Sequence, residues 1–142
     1  MTCGAVTNIY GVLGLRFKEG TRDLVAIMER ISLLATTNDD FHHEIRISSG
    51  SDYADPGGLS WSDVNGVTGL EFAVGTGTQI FSNGYAVENG YSASNESVNA
   101  LVTNLDRIGT FFDGTSQELW VSIRPMSINL EIHASATIRI LS

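Results

Sequence analysis

The chain has 142 residues, 42% of them hydrophobic, with eight Lys and Arg against sixteen Asp and Glu. That length supports one domain (1–142) with a sizeable core, and it needs neither a metal nor a disulfide to hold together. The net charge of −8 repels phosphate backbones and anionic lipid, which argues against nucleic acid or a membrane surface as partner and leaves basic proteins, cations and neutral small molecules. The single cysteine, Cys3, excludes an internal disulfide. The opening Met-Thr-Cys-Gly-Ala has neither a basic nor an apolar segment of a signal peptide, so a cytoplasmic location is expected.

Taken in order, residues 7–17 alternate as a strand, with Ile9, Gly11, Leu13, Leu15 and Phe17 expected inward. Lys18-Glu19-Gly20 turns the chain. Leu24, Ile27, Met28, Ile31 and Leu34 then recur at helical spacing, which predicts an amphipathic helix over 22–36 with Thr21 as its cap. His43, Ile45 and Ile47 alternate with Glu44, Arg46 and Ser48 as a second strand. Residues 49–66 turn to Ser, Gly, Asp and Pro and read as a long loop. Leu70, Phe72 and Val74 make a further strand, and Ser82-Asn83-Gly84 predicts a hairpin between 79–81 and 85–87.

A second helix is expected up to Ile108, with Ser94 or Asn95 as cap and Val98, Leu101, Val102, Leu105 and Ile108 on its inner face. Residues 117–124 alternate again. From Ser127 to Leu141 the alternation is the most regular in the chain, apolar Ile128, Leu130, Ile132, Ala134, Ala136, Ile138 and Ile140 against polar neighbours. At a spacing of 74 residues the first helix-strand passage matches the second, Leu24 with Val98 and Ile45 with Leu119. The expected fold class is therefore α+β: a two-layer sandwich, a mostly antiparallel sheet with two helices on one face, as a ferredoxin-like pseudo-repeat with extra strands.

Pairing 117–124 with 127–140 as a hairpin places Trp120 opposite Glu131 and Glu118 opposite His133 on the sheet's polar face, with Arg124 near the turn. An aromatic out of phase with its strand's apolar set marks a binding surface, or else a residue capped by the loop 49–66. Glu118 and His133 would make an acid–base pair, although a solvated cross-strand ion pair explains them as well. Asp39, Asp40, His42, His43 and Glu44 contain metal-ligand types, but neighbours on a strand face opposite ways, so no metal and no cofactor is expected. Asp52, Asp55, Asp63 and Asn65 lack calcium-loop spacing, and Gly75-Thr76-Gly77 lacks a following helix for a phosphate.

The function these features favour is non-enzymatic: an acidic domain of the immunity or inhibitor kind, engaging a basic protein partner through an open sheet face. Two alternatives remain. One is a small-molecule binder or modest enzyme with its pocket between that face and loop 49–66, walled by Tyr53, Trp61 and Trp120. The other is a structural homo-oligomer, a homodimer in the simplest case, whose open face is consumed by self-association.

Overall fold

Within the two alternating stretches, residues 118–124 and 130–140 do form strands, yet they belong to different sheets. The structure, a computed structural model, describes residues 1–17, 25–35, 40–56, 58–64, 69–92, 97–101, 107–108, 118–126 and 130–141. Among these residues there are thirteen strands and no helix. They are β1 (Thr2–Cys3), β2 (Tyr10–Phe17), β3 (Val25–Ala35), β4 (Phe41–Ser48), β5 (Tyr53–Ala54), β6 (Ser62–Asp63) and β7 (Leu70–Val74). There follow β8 (Ile80–Phe81), β9 (Tyr85–Ser92), β10 (Ser97–Leu101), β11 (Arg107–Ile108), β12 (Glu118–Pro125) and β13 (Leu130–Leu141).

Among the described residues every pairing is antiparallel. The smaller sheet runs β1-β13-β3-β10, with β11 also on β3; the larger runs β5-β8-β2-β12-β4-β9, with β7 on β2 and β6 on β7. The expected hairpin of 117–124 with 127–140 is thereby replaced: β12 lies between β2 and β4, and β13 lies between β1 and β3. The hairpin expected across Ser82-Asn83-Gly84 is replaced too, since β8 pairs with β2 and β5 while β9 pairs with β4. Gly84, at φ +88°, supplies the left-handed turn that the Asn-Gly pair announces, but the turn joins strands that are not partners.

The two-helix α+β expectation is wrong over the residues described. Val25–Ala35 is a strand paired along its whole length with β13, and its pairing skips Glu29 between Thr137↔Arg30 and Ile138↔Met28. A bulged strand advances its faces by three residues at the bulge, and a helix advances by three or four, so the two patterns coincide over a short window. With a twelve-residue partner strand supplying backbone hydrogen bonds, sheet pairing overrides a weak helical preference. The second expected helix is represented by β10 and β11, both on β3; its remaining residues lie outside those described. The 74-residue correspondence has a different meaning from the one expected. The matched spans are antiparallel neighbours, β3 with β10 and β4 with β12.

One apolar cluster joins the sheets. Val12, Leu15 and Phe17 of β2, Phe41, Ile45 and Ile47 of β4, and Leu119, Val121 and Ile123 of β12 pack with Cys3, Leu33, Leu130 and Ile132 of the smaller sheet. Two inner faces interdigitating in this way make a β-sandwich. β2 contributes by a phase change: Val121 faces Leu13 but Ser122 faces Gly11, which leaves Val12 as the extra residue of a bulge. The inward set is therefore Tyr10, Val12, Leu15 and Phe17, and not the odd positions throughout. Burial pushes the Cys3 thiol up to about 12 despite the N-terminal amine beside it, so it is an inert core residue. No helix among the described residues is long and apolar enough to cross a membrane.

Candidate functional site

On β12 the inward residues are Leu119, Val121 and Ile123, so Glu118, Trp120 and Ser122 fall on the outer face of the larger sheet. Trp120 is nevertheless fully buried, at 0% exposure. Its floor is β2, where Gly14 stands opposite it and the bulge brings Gly11 alongside. A Cβ added at Gly14 would lie 2.6 Å from Trp120 Cζ2, and one at Gly11 2.7 Å from Cε3. The indole rests on bare backbone, which is the close approach that glycine inside a strand permits. Its cover is aromatic: Tyr53, Phe81 and Trp61 have ring centroids 5.4, 5.7 and 5.9 Å from it, all steeply tilted. Edge-to-face contacts of that kind add to the area they bury.

Glu118 is the polar centre of this cluster, at 3% exposure. Its Oε1 accepts from the Tyr53 hydroxyl at 2.8 Å and from the Trp120 indole N–H at 2.9 Å. Arg16, its cross-strand neighbour, donates from Nε to Glu71 Oε1 at 3.2 Å and lays its guanidinium 4.0 Å over the Trp61 ring. The covering loop is itself built. Asp52 Oδ2 accepts from the Ser49 amide at 2.7 Å, and Asp55 takes the Leu59 amide at 2.9 Å and Gln79 Nε2 at 2.8 Å. Asp52 and Asp55 thus fix turns, as Asx side chains do.

Burial raises the Glu118 carboxyl above its usual range. The Trp120 and Tyr53 hydrogen bonds and the Arg16 charge oppose that shift without cancelling it, and Asp52 adds to it. Burial and the neighbouring Glu118 likewise push the Tyr53 hydroxyl upward. A carboxyl with a raised folded pKa is most favourable when protonated, and that contribution is lost as pH rises through the folded value. Glu118→Gln should therefore lose this pH dependence and gain stability relative to wild type as pH rises, because an amide oxygen accepts the same two bonds. Urea melts at pH 5 and pH 8 check it; a loss exceeding about 1 kcal/mol at pH 8 would show that the charge itself is needed.

The seven residues picked out by sequence fall in three places. Trp120, Glu118, Tyr53 and Trp61 converge in the cluster above. His133 and Glu131 lie on the outer face of the smaller sheet, with Nε2–Oε1 3.3 Å and side chains 58% and 49% exposed. Arg124 is exposed at one end of the larger sheet. The suggested pair of Glu118 with His133 does not form, because β12 and β13 are not partners. Among the described residues of loop 49–66, Tyr53 and Trp61 meet the indole directly.

Known protein families, curated proteins and solved structures offer no match to this chain. Its chemistry must be read from its own residues.

Sequence reasoning missed Phe81 and the two glycines as parts of this site. Gly11 and Gly14 inside an otherwise apolar strand were the available signal. Alternation groups His43 with Ile45 and Ile47 on one face of its strand. His43 turns inward on β4, at 7% exposure, against Gly90 of β9. Among the described residues its Nδ1 has no hydrogen-bond partner. Burial holds the imidazole below its usual 6.5, and His42 adds repulsion. Unfolding restores the ordinary value, so the unfolded chain binds a proton that the folded one refuses. This group's contribution is intact above 6.5 and is lost as pH falls towards the lowered folded value. Acid titration of stability should show that loss, and His43→Leu should flatten it; an unchanged slope in the variant would assign the acid sensitivity elsewhere. Among the described residues no three His, Cys, Asp or Glu side chains converge as a metal site.

Proposed function

We propose that the chain is a non-enzymatic protein-binding β-sandwich, an acidic domain that engages a partner bearing basic groups. The binding face is the outer surface of the smaller sheet. One observation carries this reading: on β13 Leu130 and Ile132 are buried while Glu131, His133 and Ser135 stand in solvent, and Leu34, opposite His133, is 42% exposed. An exposed apolar residue beside polar ones on a sheet face is a composition that interfaces favour. On the larger sheet's outer face Trp120, Tyr53 and Phe81 are buried together in one cluster. The net charge of −8 would speed encounter with a basic partner and make the association salt-sensitive.

The test is affinity capture at low and high salt with the wild-type chain and with Leu34→Asp and Glu131→Lys. A partner retained at low salt, released at high salt and lost in both variants is expected. Capture that ignores salt and both substitutions would remove the reading. The exposed Leu34 also favours a second occupant, another copy of the chain. Sedimentation separates the two, since a homodimer broken by Leu34→Asp would make this face a self-association surface.

A further inference from the structure

Asn83-Gly84-Tyr85 and Asn89-Gly90-Tyr91 are one tripeptide occurring twice, and the fold sets the two copies in different surroundings. The second is in a ladder: Asn89 and Gly90 of β9 stand opposite Glu44 and His43 of β4. In an extended strand a side chain stands roughly perpendicular to the sheet, so it cannot close on the next backbone nitrogen until the strand opens. The first copy begins outside the ladders. Ser82, Asn83 and Gly84 form an exposed bend between β8 and β9, with Gly84 at φ +88°. Among the described residues neither the Asn83 side-chain amide nor the Gly84 N–H makes a hydrogen bond. The Asn83 backbone is what holds the bend. Its N–H donates to the Asp52 carbonyl at 3.2 Å, and its carbonyl accepts from Arg46 Nη2 at 2.9 Å.

An asparagine followed by glycine is able to react with its own backbone, because glycine has no side chain to shield its nitrogen. The Gly84 nitrogen gives its proton to solvent base and attacks Asn83 Cγ. The new N–Cγ bond closes a five-membered succinimide, and the Cγ–Nδ2 bond breaks as Nδ2 takes up a proton and leaves as ammonia. Water then opens the ring. Cleavage at Cγ gives aspartate, whereas cleavage at the main-chain carbonyl carbon gives isoaspartate, with the chain continuing through Cβ and Cγ. Water is the co-reactant and no electrons are transferred. The Arg46 contact favours this course. A charged donor on the Asn83 carbonyl stabilises the negative charge that the peptide group acquires as its nitrogen is deprotonated. In isoaspartate that same carbonyl carbon becomes the free carboxylate, so the new charge arises beside a guanidinium. Two acids lie near. Glu44 pairs with Arg46 Nη1 at 2.7 Å, and Asp52 Oδ2 accepts from the Ser49 amide and hydroxyl, so neither takes Nη2 from the Asn83 carbonyl.

We propose that Asn83 is a self-modification site of the folded chain, converting through a succinimide to isoaspartate while Asn89 is preserved. The site does not rest on the binding face of the smaller sheet. A third pair, Asn65-Gly66, lies outside the described residues. Ageing the full chain in mildly alkaline buffer tests the proposal. Digestion and mass spectrometry follow each Asn-Gly peptide, and labelling with an isoaspartyl methyltransferase tells isoaspartate from aspartate. In the folded chain Asn83 should convert about tenfold or more faster than Asn89, because Asn89 reacts only from molecules whose strand has locally opened. In denaturant the two rates should converge, since the tripeptides are identical. The proposal is overturned if Asn83 survives as long as Asn89 in the folded chain, or if its advantage persists unchanged in denaturant and so owes nothing to the fold.

Discussion

Trp120→Ala should lower the stability of the protein by about 3–5 kcal/mol, the cost of truncating a large buried aromatic in a site that cannot fully collapse. Collapse is hindered from both sides. Below the indole are Gly11 and Gly14, which have no side chains to move into the space. Above it Tyr53, Phe81 and Trp61 are held by a loop that Asp52 and Asp55 pin with their own hydrogen bonds. The substitution also takes one of two donors from the buried oxygen of Glu118, and leaving a buried acceptor short of a partner adds to the loss. Trp61→Ala should cost less, since that ring is only half-buried. Urea unfolding of the two variants measures both. A loss below about 1 kcal/mol for Trp120→Ala would mean that the cluster is not closed as described.

Gly14→Ala should destabilise by about 1–3 kcal/mol although it adds a single methyl group, because overpacking a rigid site forces its neighbours off their minima. The added Cβ would stand 2.6–2.8 Å from three atoms of the Trp120 ring. The ring cannot swing away, since its other face and edges touch three further rings. Gly4→Ala is the control, as nothing lies within 4 Å of a Cβ there, and it should be close to neutral. Because the cause is a specific collision, a smaller ring should relieve it. Trp120→Phe combined with Gly14→Ala should lose less than the two single variants added together, by about 0.5 kcal/mol or more. Strict additivity would mean that Gly14 is required by backbone conformation instead of by the indole.

These two substitutions mark where local pattern stopped being informative. Alternation in β4, β7, β12 and β13 was readable because period two is a property of neighbouring residues and survives any choice of partner strand. It showed Trp120 out of phase with Leu119, Val121 and Ile123. It did not show whether water or a second layer would meet the indole. That depended on Tyr53 and Phe81, which are remote in sequence, and on a bulge at Val12 visible only against β12. The same kind of irregularity misled the reading of 25–35, where a three-residue step across a bulge resembles a helical repeat.

Composition alone set the acidity, the absence of an internal disulfide and a length adequate for a packed core. Residue pattern alone set the strands with uninterrupted alternation, and on β13 it marked which side would be apolar over Leu130 to Ile132. The tertiary structure decided which sheet each strand joined. It thereby placed Glu118 with Tyr53 instead of His133. The physical reason is the range of the forces. Side-chain alternation is written along the chain, whereas strand pairing is chosen among competing distant partners by the total burial and hydrogen bonding each would give.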